Sequence, residues 1–288
     1  MNKYIQKAGI LIEALPYIKE FNGKIVVIKY GGSAMADNAF KEKVIEDIAL
    51  MKYVGMKPVI VHGGGPSINR VLDRMGIKSN FVNGMRVTNE ETMDTVEMVL
   101  SGSVNKNIVN LLGSHNIKTI GISGKDGKLF TAEKLKTDSI DLGHVGNISN
   151  IDTSLLNVLL DNDYTPIIAP IASDLNGKTY NINADMAASA VASALKAQKL
   201  IYISDIPGIL LDISDESSLI HKANVKEIED YKSEGIISGG MIPKVDYALE
   251  AVNNGVISVH ILDGRVEHSI LLEIFTKKGI GTIIQKEK

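Results

Sequence analysis

The 288-residue chain contains no cysteine. That excludes a disulfide framework, Cys-ligated zinc and thiol catalysis. Its six histidines are scattered, so no His/Cys cluster offers a metal site and no metal ligand is assigned. Neither sign of charge dominates: the net charge is −3, and nothing points to nucleic acid or a membrane surface as a partner. No apolar run approaches the roughly 18 residues of a spanning helix. The N-terminus lacks the apolar core and small-residue cleavage site of a signal peptide. The expected location is the cytoplasm. Repeats and low-complexity tracts are absent, and the sequon Asn147-Ile148-Ser149 reads as a chance match. What is present is a hydrophobic content of 44%, enough for a sizeable core in one large domain or two lobes.

The chain is organised around Lys24–Ser33, KIVVIKYGGS. Ile25–Ile28 is a β-branched run without polar alternation, as in a strand covered on both faces. Lys29 places a charge at its end. Gly31-Gly32 lets the backbone turn tightly and approach something bulky. Ser33 is a suitable cap for a helix over Asp37–Tyr53. A strand, a cation, a glycine pair and a helix N-terminus together make an anion site. The plainer alternative is an ordinary βα turn with a surface lysine.

The same pattern recurs along the chain. Residues 3–20 carry Ile5, Ala8, Ile12, Leu15 and Ile18 at helical spacing, with Pro16 expected to kink or break the helix. Lys57–His62 is a second buried strand, ending in Gly63-Gly64-Gly65-Pro66 before a helix over Ser67–Met75. A loop at 83–88 carries Arg86, one of four arginines, whose planar fork suits a carboxylate. Glu90–Gly102 reads as a helix and Ile117–Ile122 as a strand. Gly121–Gly127 resembles a phosphate-binding P-loop, but its spacing is wrong. Residues 128–150 read as hairpins outside the main sheet, Leu155–Asn162 as a helix and Thr165–Ala169 as a strand. Tyr180–Asp185 runs into an alanine-rich helix, Met186–Ala197. Asp185 falls in its first turn, where the dipole stabilises a carboxylate. Leu200–Ser204 and Val256–Leu262 are strands, and Val225–Gly235 is a helix. Lys244 lies early in a helix, Ile242–Asn253, just after Gly239-Gly240. A cation is unfavourable there unless an anion binds beside it. His268–Phe275 reads as a short helix and Gly281–Ile284 as an edge strand. Alternating strands and helices imply a parallel sheet with ligands beyond its C-terminal strand ends. Glycine turns and two lysines at such ends, with no nucleophile, describe a phosphate site without covalent chemistry.

In this order, the segments KYGGS, VHGGGP, NGMRVT, YNINAD, SDIPGIL, SGGMIPKV and HSILLEIFTKKGIGT resemble the amino acid kinase family over nearly the whole chain. Each is weak alone; together they are specific. The resemblance implies a three-layer αβα sandwich with a mainly parallel central sheet and an N-terminal kinked helix. It divides the chain into an oligomerisation helix (1–22), an acid-binding and dimerising lobe (23–180) and a nucleotide- and arginine-binding lobe (181–288). The implied reaction moves the γ-phosphoryl of ATP to the side-chain carboxylate of N-acetyl-L-glutamate, early in arginine biosynthesis. Mg²⁺ would be carried mainly by the nucleotide phosphates.

Carried over by position, the resemblance makes Lys29 and Lys244 the transition-state cations, with Asp185 between them. Gly64 and Gly65 would donate backbone N–H groups. Arg86 would grip the acid's α-carboxylate, and Asn181 its acetamido and carboxylate groups. Gly31, Gly32, Ser204, Asp205, Gly208, Gly239 and Gly240 would contact the nucleotide. No general base is required, since a carboxylate is ionised near pH ~7. Sister kinases acting on glutamate, aspartate, carbamate or UMP remain alternatives, as does a catalytically silent ligand-binding regulator. NGMRVT and YNINAD favour acetylglutamate, and both lysines with Asp185 favour catalysis. The N-terminal helix and the tail further resemble the arginine-inhibited branch, whose helices interlace dimers into hexamers. There Glu273 would take the guanidinium, backbone near His268 and Gly279 would complete the pocket, and Tyr17 would close it. The plainer alternative is an ordinary terminal helix with Glu273 solvated.

Overall fold

The structure, a computed structural model, describes residues 2–31, 38–82, 84–137, 140–276 and 278–287. Gly32, the proposed cap Ser33 and the expected helix start at Asp37 lie outside the described residues, as does Asn83.

Helix α1 (Asn2–Phe21) runs as one element through Pro16, so the proline does not divide it. Among the described residues of the helix, it is the C-terminal end that docks on the body. Phe21 is buried, and Tyr17 meets Phe275 edge-on with ring centroids 6.4 Å apart. Tyr4, Ile5, Ile10, Leu11 and Ile12 project into solvent, Leu11 with 73% of its surface exposed.

The body begins with β1 (Ile25–Tyr30), α2 (Asn38–Tyr53), β2 (Lys57–His62) and α3 (Gly65–Met75). A two-stranded hairpin follows, β3 (Phe81–Val82) with β4 (Met85–Arg86). The next helix does not stop at Gly102 as its sequence indicates. α4 (Glu90–Glu97) passes through a π-helical turn, Met98–Val104, into α5 (Asn105–Ser114). Glycine lowers helix propensity, but tertiary packing of Val99, Leu100 and Val104 overrides it here. After β5 (Thr119–Ser123) come β6 (Phe130–Lys134) and β7 (Val145–Ile151), then α6 (Ser154–Asp161), β8 (Thr165–Ala169), β9 (Ile171–Ser173) and β10 (Thr179–Ile182). Helix α7 (Ala184–Ala194) leads to β11 (Lys199–Ser204), β12 (Lys222–Asn224) and α8 (Val225–Ser233). The chain closes with α9 (Met241–Asn253), β13 (Ser258–Asp263), α10 (Ser269–Ile274) and β14 (Thr282–Gln285).

Among the described residues, eight strands form the central sheet in the order β12-β14-β13-β11-β1-β2-β8-β5. From β13 through β5 the pairs are parallel; β14 runs antiparallel to β13, and β12 parallel to β14. β14 is therefore not the edge strand its sequence indicates, because β12, too short to show a periodicity, caps that side. Apolar side chains from α7 and α9, including Ala187, Val191, Val245 and Ala248, fill one face of the sheet. Ile45, Ile48, Leu72, Val96 and Ile108 fill the other, which completes three layers. The strand-rich stretch after residue 128 does lie outside the main sheet. β6 and β7 are joined there by β9 and β10 in a small closed four-stranded unit.

The order of strands positions the site. β1 lies between β2 and β11, and Lys29 pairs in register with Val61 on one side and Tyr202 on the other. The three strands end together, so their following turns share one crevice, as ligand sites in open parallel sheets do.

Candidate active site

Lys29 sits at the C-terminal end of β1, Asp185 in the first turn of α7 and Lys244 in the first turns of α9. The fold brings all three together. Asp185 Oδ1 lies 2.9 Å from Lys29 Nζ, and Oδ2 lies 2.8 Å from Lys244 Nζ. The side chains are 17%, 13% and 11% exposed, so water screens these pairs little. Burial alone would raise the Asp185 pKa. The Lys29 and Lys244 charges outweigh that and hold the carboxylate far below its usual range. Burial lowers the pKa of Lys244, Asp185 raises it, and Lys29 lowers it. The anion that the sequence calls for beside Lys244 is thus supplied first by Asp185. Asp185 does not cap its own helix. Asn183 does so, accepting from the Asp185 and Met186 amides. Tyr202, embedded in the apolar run of β11, lies beneath Lys244 at 5.1 Å. Its hydroxyl donates to the Asp185 carbonyl.

Gly31 explains itself by proximity. A Cβ there would lie 3.3 Å from Lys29 Nζ and 3.5 Å from Gly63 N. Beyond Gly63 the chain forms the N-cap of α3 at Gly64, where a Cβ would meet Leu100 at 2.5 Å. Gly64 and Gly65 then line a cavity of about 180 Å³ with Arg86 and Asn181. These are the four residues assigned to the acid, drawn from α3, β4 and β10. Arg86 is buried, and its guanidinium donates to Ser79 and, at 2.6 Å, to Asn69 Oδ1, with the Phe81 ring 4.6 Å away. Burial lowers its pKa from the ordinary arginine value. Neither Asn69 nor Ser79 has a recognisable sequence signal, since both act only through Arg86.

On the other side of the lysines, Ser204 ends β11 and holds the Gly264 amide through its carbonyl; Asp205 is exposed beside it. Gly208, at φ 150°, has a packing reason of its own: a Cβ would collide with Thr282 Oγ1, which accepts from the Ile209 amide. Gly239 and Gly240 are exposed, with nothing within 4 Å of an added Cβ. Among the described residues no group of three or more His, Asp or Glu side chains gathers as a metal cradle.

The tail residues form a separate cluster. Glu273 is not solvated. It is 4% exposed, accepting from His260 Nδ1 at 2.7 Å and from the Ile280 and Gly281 amides. Burial raises its pKa, but these donors win and hold it low. Gly279 packs directly on its carboxylate. Lys199, unassigned from sequence, lies 3.1 Å from His260 Nε2 and 4.8 Å from the Phe21 ring of α1. His268 turns to α2, with Nδ1 2.6 Å from the buried Asp47. Burial pushes the Asp47 carboxyl up to about 6 against the opposing pull of His268. Tyr17 reaches the cluster's margin through Phe275.

Two lysines bridged by one aspartate, with the Gly31 and Gly63 turns close together beside a small cavity lined by Arg86, occupy the crevice at the strand ends of an αβα fold. Residues 24–263 match the sequence profile of the amino acid kinase family; the chain belongs to that family and is an enzyme. Among its relatives, acetylglutamate kinase from Thermoanaerobacter pseudethanolicus is 54% identical over 283 residues, covering 98% of this chain and 94% of the relative. The acetylglutamate kinase of Carboxydothermus hydrogenoformans is 52% identical over 292 residues and 99% of both chains. Among solved structures, N-acetylglutamate synthase from Neisseria gonorrhoeae, complexed with coenzyme A and N-acetylglutamate, superposes with a TM-score of 0.87 at 27% identity. The match covers 98% of this chain and 64% of the synthase. The same synthase complexed with coenzyme A and L-arginine gives a TM-score of 0.82 at 25% identity, over 97% and 65% of the two chains.

Proposed function

We propose that the protein transfers the γ-phosphoryl of ATP to the side-chain carboxylate of N-acetyl-L-glutamate, an early reaction of arginine biosynthesis in the cytoplasm. The observation that carries this reading is the Lys29–Asp185–Lys244 bridge beside the cavity of Gly64, Gly65, Arg86 and Asn181. The acid lies in the cavity, its α-carboxylate on Arg86 and its acetamido group on Asn181. The nucleotide lies across the 204–208 and 239–240 turns. A carboxylate oxygen attacks the γ-phosphorus, the bond to the β–γ bridging oxygen breaks, and ADP leaves. No proton moves, because the attacking carboxylate is already ionised. Lys29 and Lys244 stabilise the charge spread over the transferring oxygens, and Asp185 holds both cations in place without entering the reaction. Mg²⁺ carried by the nucleotide phosphates would offset their charge. The acid side corresponds to residues 23–180 and the nucleotide side to 181–288, with β10 spanning the boundary.

The same reading includes feedback inhibition by L-arginine and a hexamer built through α1. Its support is the contact of Phe21 with Lys199 of the Lys199–His260–Glu273 cluster, the packing of Tyr17 on Phe275 beside it, the exposed apolar residues of α1, and the arginine-bound state of the synthase. The deciding experiment is ATP turnover with N-acetylglutamate against glutamate, aspartate, carbamate and UMP, repeated with added L-arginine. Preference for another acceptor overturns the substrate. Binding of N-acetylglutamate without turnover would indicate a silent regulator, and rates indifferent to arginine overturn the regulatory part.

A further inference from the structure

His62 takes no part in the phosphoryl transfer, yet it is completely buried directly behind the glycine turn. Its Nδ1 lies 2.8 Å from the Gly63 carbonyl and its Nε2 lies 3.2 Å from Asn105 Nδ2. Asn105 is also completely buried. Its Nδ2 faces the Ile167 carbonyl at 2.9 Å and the Ile122 carbonyl at 3.3 Å, while its Oδ1 faces Lys106 Nζ at 3.1 Å. Those partners fix the amide: nitrogen toward acceptors, oxygen toward the ammonium. The Gly63 carbonyl can only accept, so the imidazole carries its proton on Nδ1 and donates to it, which leaves Nε2 unprotonated toward the Asn105 amide nitrogen. Burial keeps the ring neutral, pushing its pKa down to about 4. The seat for Asn105 depends on Gly121, where a Cβ would collide with Asn105 Oδ1.

We propose that His62, set by Asn105, is a latch that fixes the Gly63–Gly64 peptide with its N–H facing the acid cavity. A trans peptide is planar, and its C=O and N–H point in opposite directions. Drawing the Gly63 oxygen back onto His62 turns the Gly64 N–H the other way. That amide donates to no described residue, and Gly64 lines the cavity. A peptide between two glycines meets little steric resistance to turning over. Unlatched, it would present a carbonyl oxygen where an anionic carboxylate or phosphoryl group must sit. One interaction then decides whether the turn offers a donor or a repelling acceptor. His62 is thus a positioning residue, acting through Gly64, and the inference rests on the assignment of Gly64 to the acid.

Two independent measurements test it. The ¹⁵N shifts of the His62 ring in the unmodified enzyme report the tautomer without reference to activity. The neutral Nδ1–H form is expected, and the Nε2–H form overturns the latch. Kinetically, His62→Leu should lower kcat about tenfold or more, somewhat less than complete loss of an oxyanion donor, while KM for ATP changes less than about twofold. His62→Asn, whose amide nitrogen can replace Nδ1, should recover most of that loss. Asn105→Leu should fall between, and adding it to His62→Leu should do no further harm to kcat, since both act through one contact. A His62→Leu enzyme with unchanged kcat, or equal losses in His62→Leu and His62→Asn, overturns the proposal. If the wild-type enzyme does not use N-acetylglutamate, the kinetic arm fails for another reason and the tautomer still decides.

Discussion

Replacing Asp185 by Asn keeps the shape of the side chain and the Asn183 cap while removing the charge that holds two lysines. At 2.8 and 2.9 Å, each ion pair has a gross attraction of about 6 kcal/mol at an effective dielectric near 20. Desolvation offsets most of that. Removing one member of a buried pair still destabilises by about 3–5 kcal/mol, because uncompensated charge remains. Here both lysines retain some exposure and can turn to water, so a loss of about 3 kcal/mol in folding stability is expected. The effect on rate should be larger than on binding. Lysines no longer preorganised against the transferring group should lower kcat by about 10²- to 10³-fold, with smaller changes in KM. The pH dependence separates this account from general damage. Asp185 raises the pKa of Lys244, so its removal leaves burial and Lys29 to lower that pKa further. The basic limb of the kcat profile should move to lower pH. The Asp185 pKa in the folded protein lies below its unfolded value of about 3.9. Its stabilisation is therefore present above about pH 4 and lost as pH falls further, so the stability gap between wild type and variant should close in acid. Hydroxylamine trapping of the acyl phosphate from about pH 6 to about pH 10 gives the rates, and urea unfolding at neutral and acid pH gives the stabilities. A variant within about threefold of wild-type kcat, with its basic limb unmoved, would refute the role given to Asp185.

Lys29→Ala and Lys244→Ala should each lower kcat by about 10²-fold or more, and Lys29→Arg should also be poor because a planar fork does not replace a point charge; near-normal kcat in either alanine variant would remove that lysine from the transition state. Arg86→Ala should raise KM for the acid about tenfold or more, as expected for losing a charge-assisted pair worth about 1.5–3 kcal/mol, with KM for ATP changing much less. Because Arg86 also seats Asn69 and Ser79, some loss of thermal stability should accompany it. Deleting residues 1–20 exposes no strand edge, so it should leave an active enzyme that sediments as a dimer and responds far less to arginine; a truncated chain that keeps both hexamer and inhibition would rule out the role of α1.

Much of the site could be read along the chain because its signals are local. A β-branched run ending in Lys29-Tyr30-Gly31 marks a buried strand and its turn within a few residues. The same holds for His62–Pro66 and for Gly239–Lys244, where a cation at a helix start demands a nearby anion. The meeting of Lys29 with Asp185 and Lys244 was implied only by resemblance. Physically it requires β11 beside β1 and α7 packed against α9, contacts between segments far apart in sequence that no local propensity encodes. The same limit explains the corrections. β12 is three residues long and shows no period, so β14 reads as an edge along the sequence. Gly102 is a helix breaker by propensity, but the packing of Val99, Leu100 and Val104 carries the helix through it in π form. For Glu273 the plainer alternative of a solvated helical acid fails, because His260 on β13 and the Ile280 and Gly281 amides draw it inside. The latch on the glycine turn lay wholly beyond the sequence. His62 and Asn105 are separated by 43 residues, and only the packing of α5 against β2, β5 and β8 brings them within 3.2 Å.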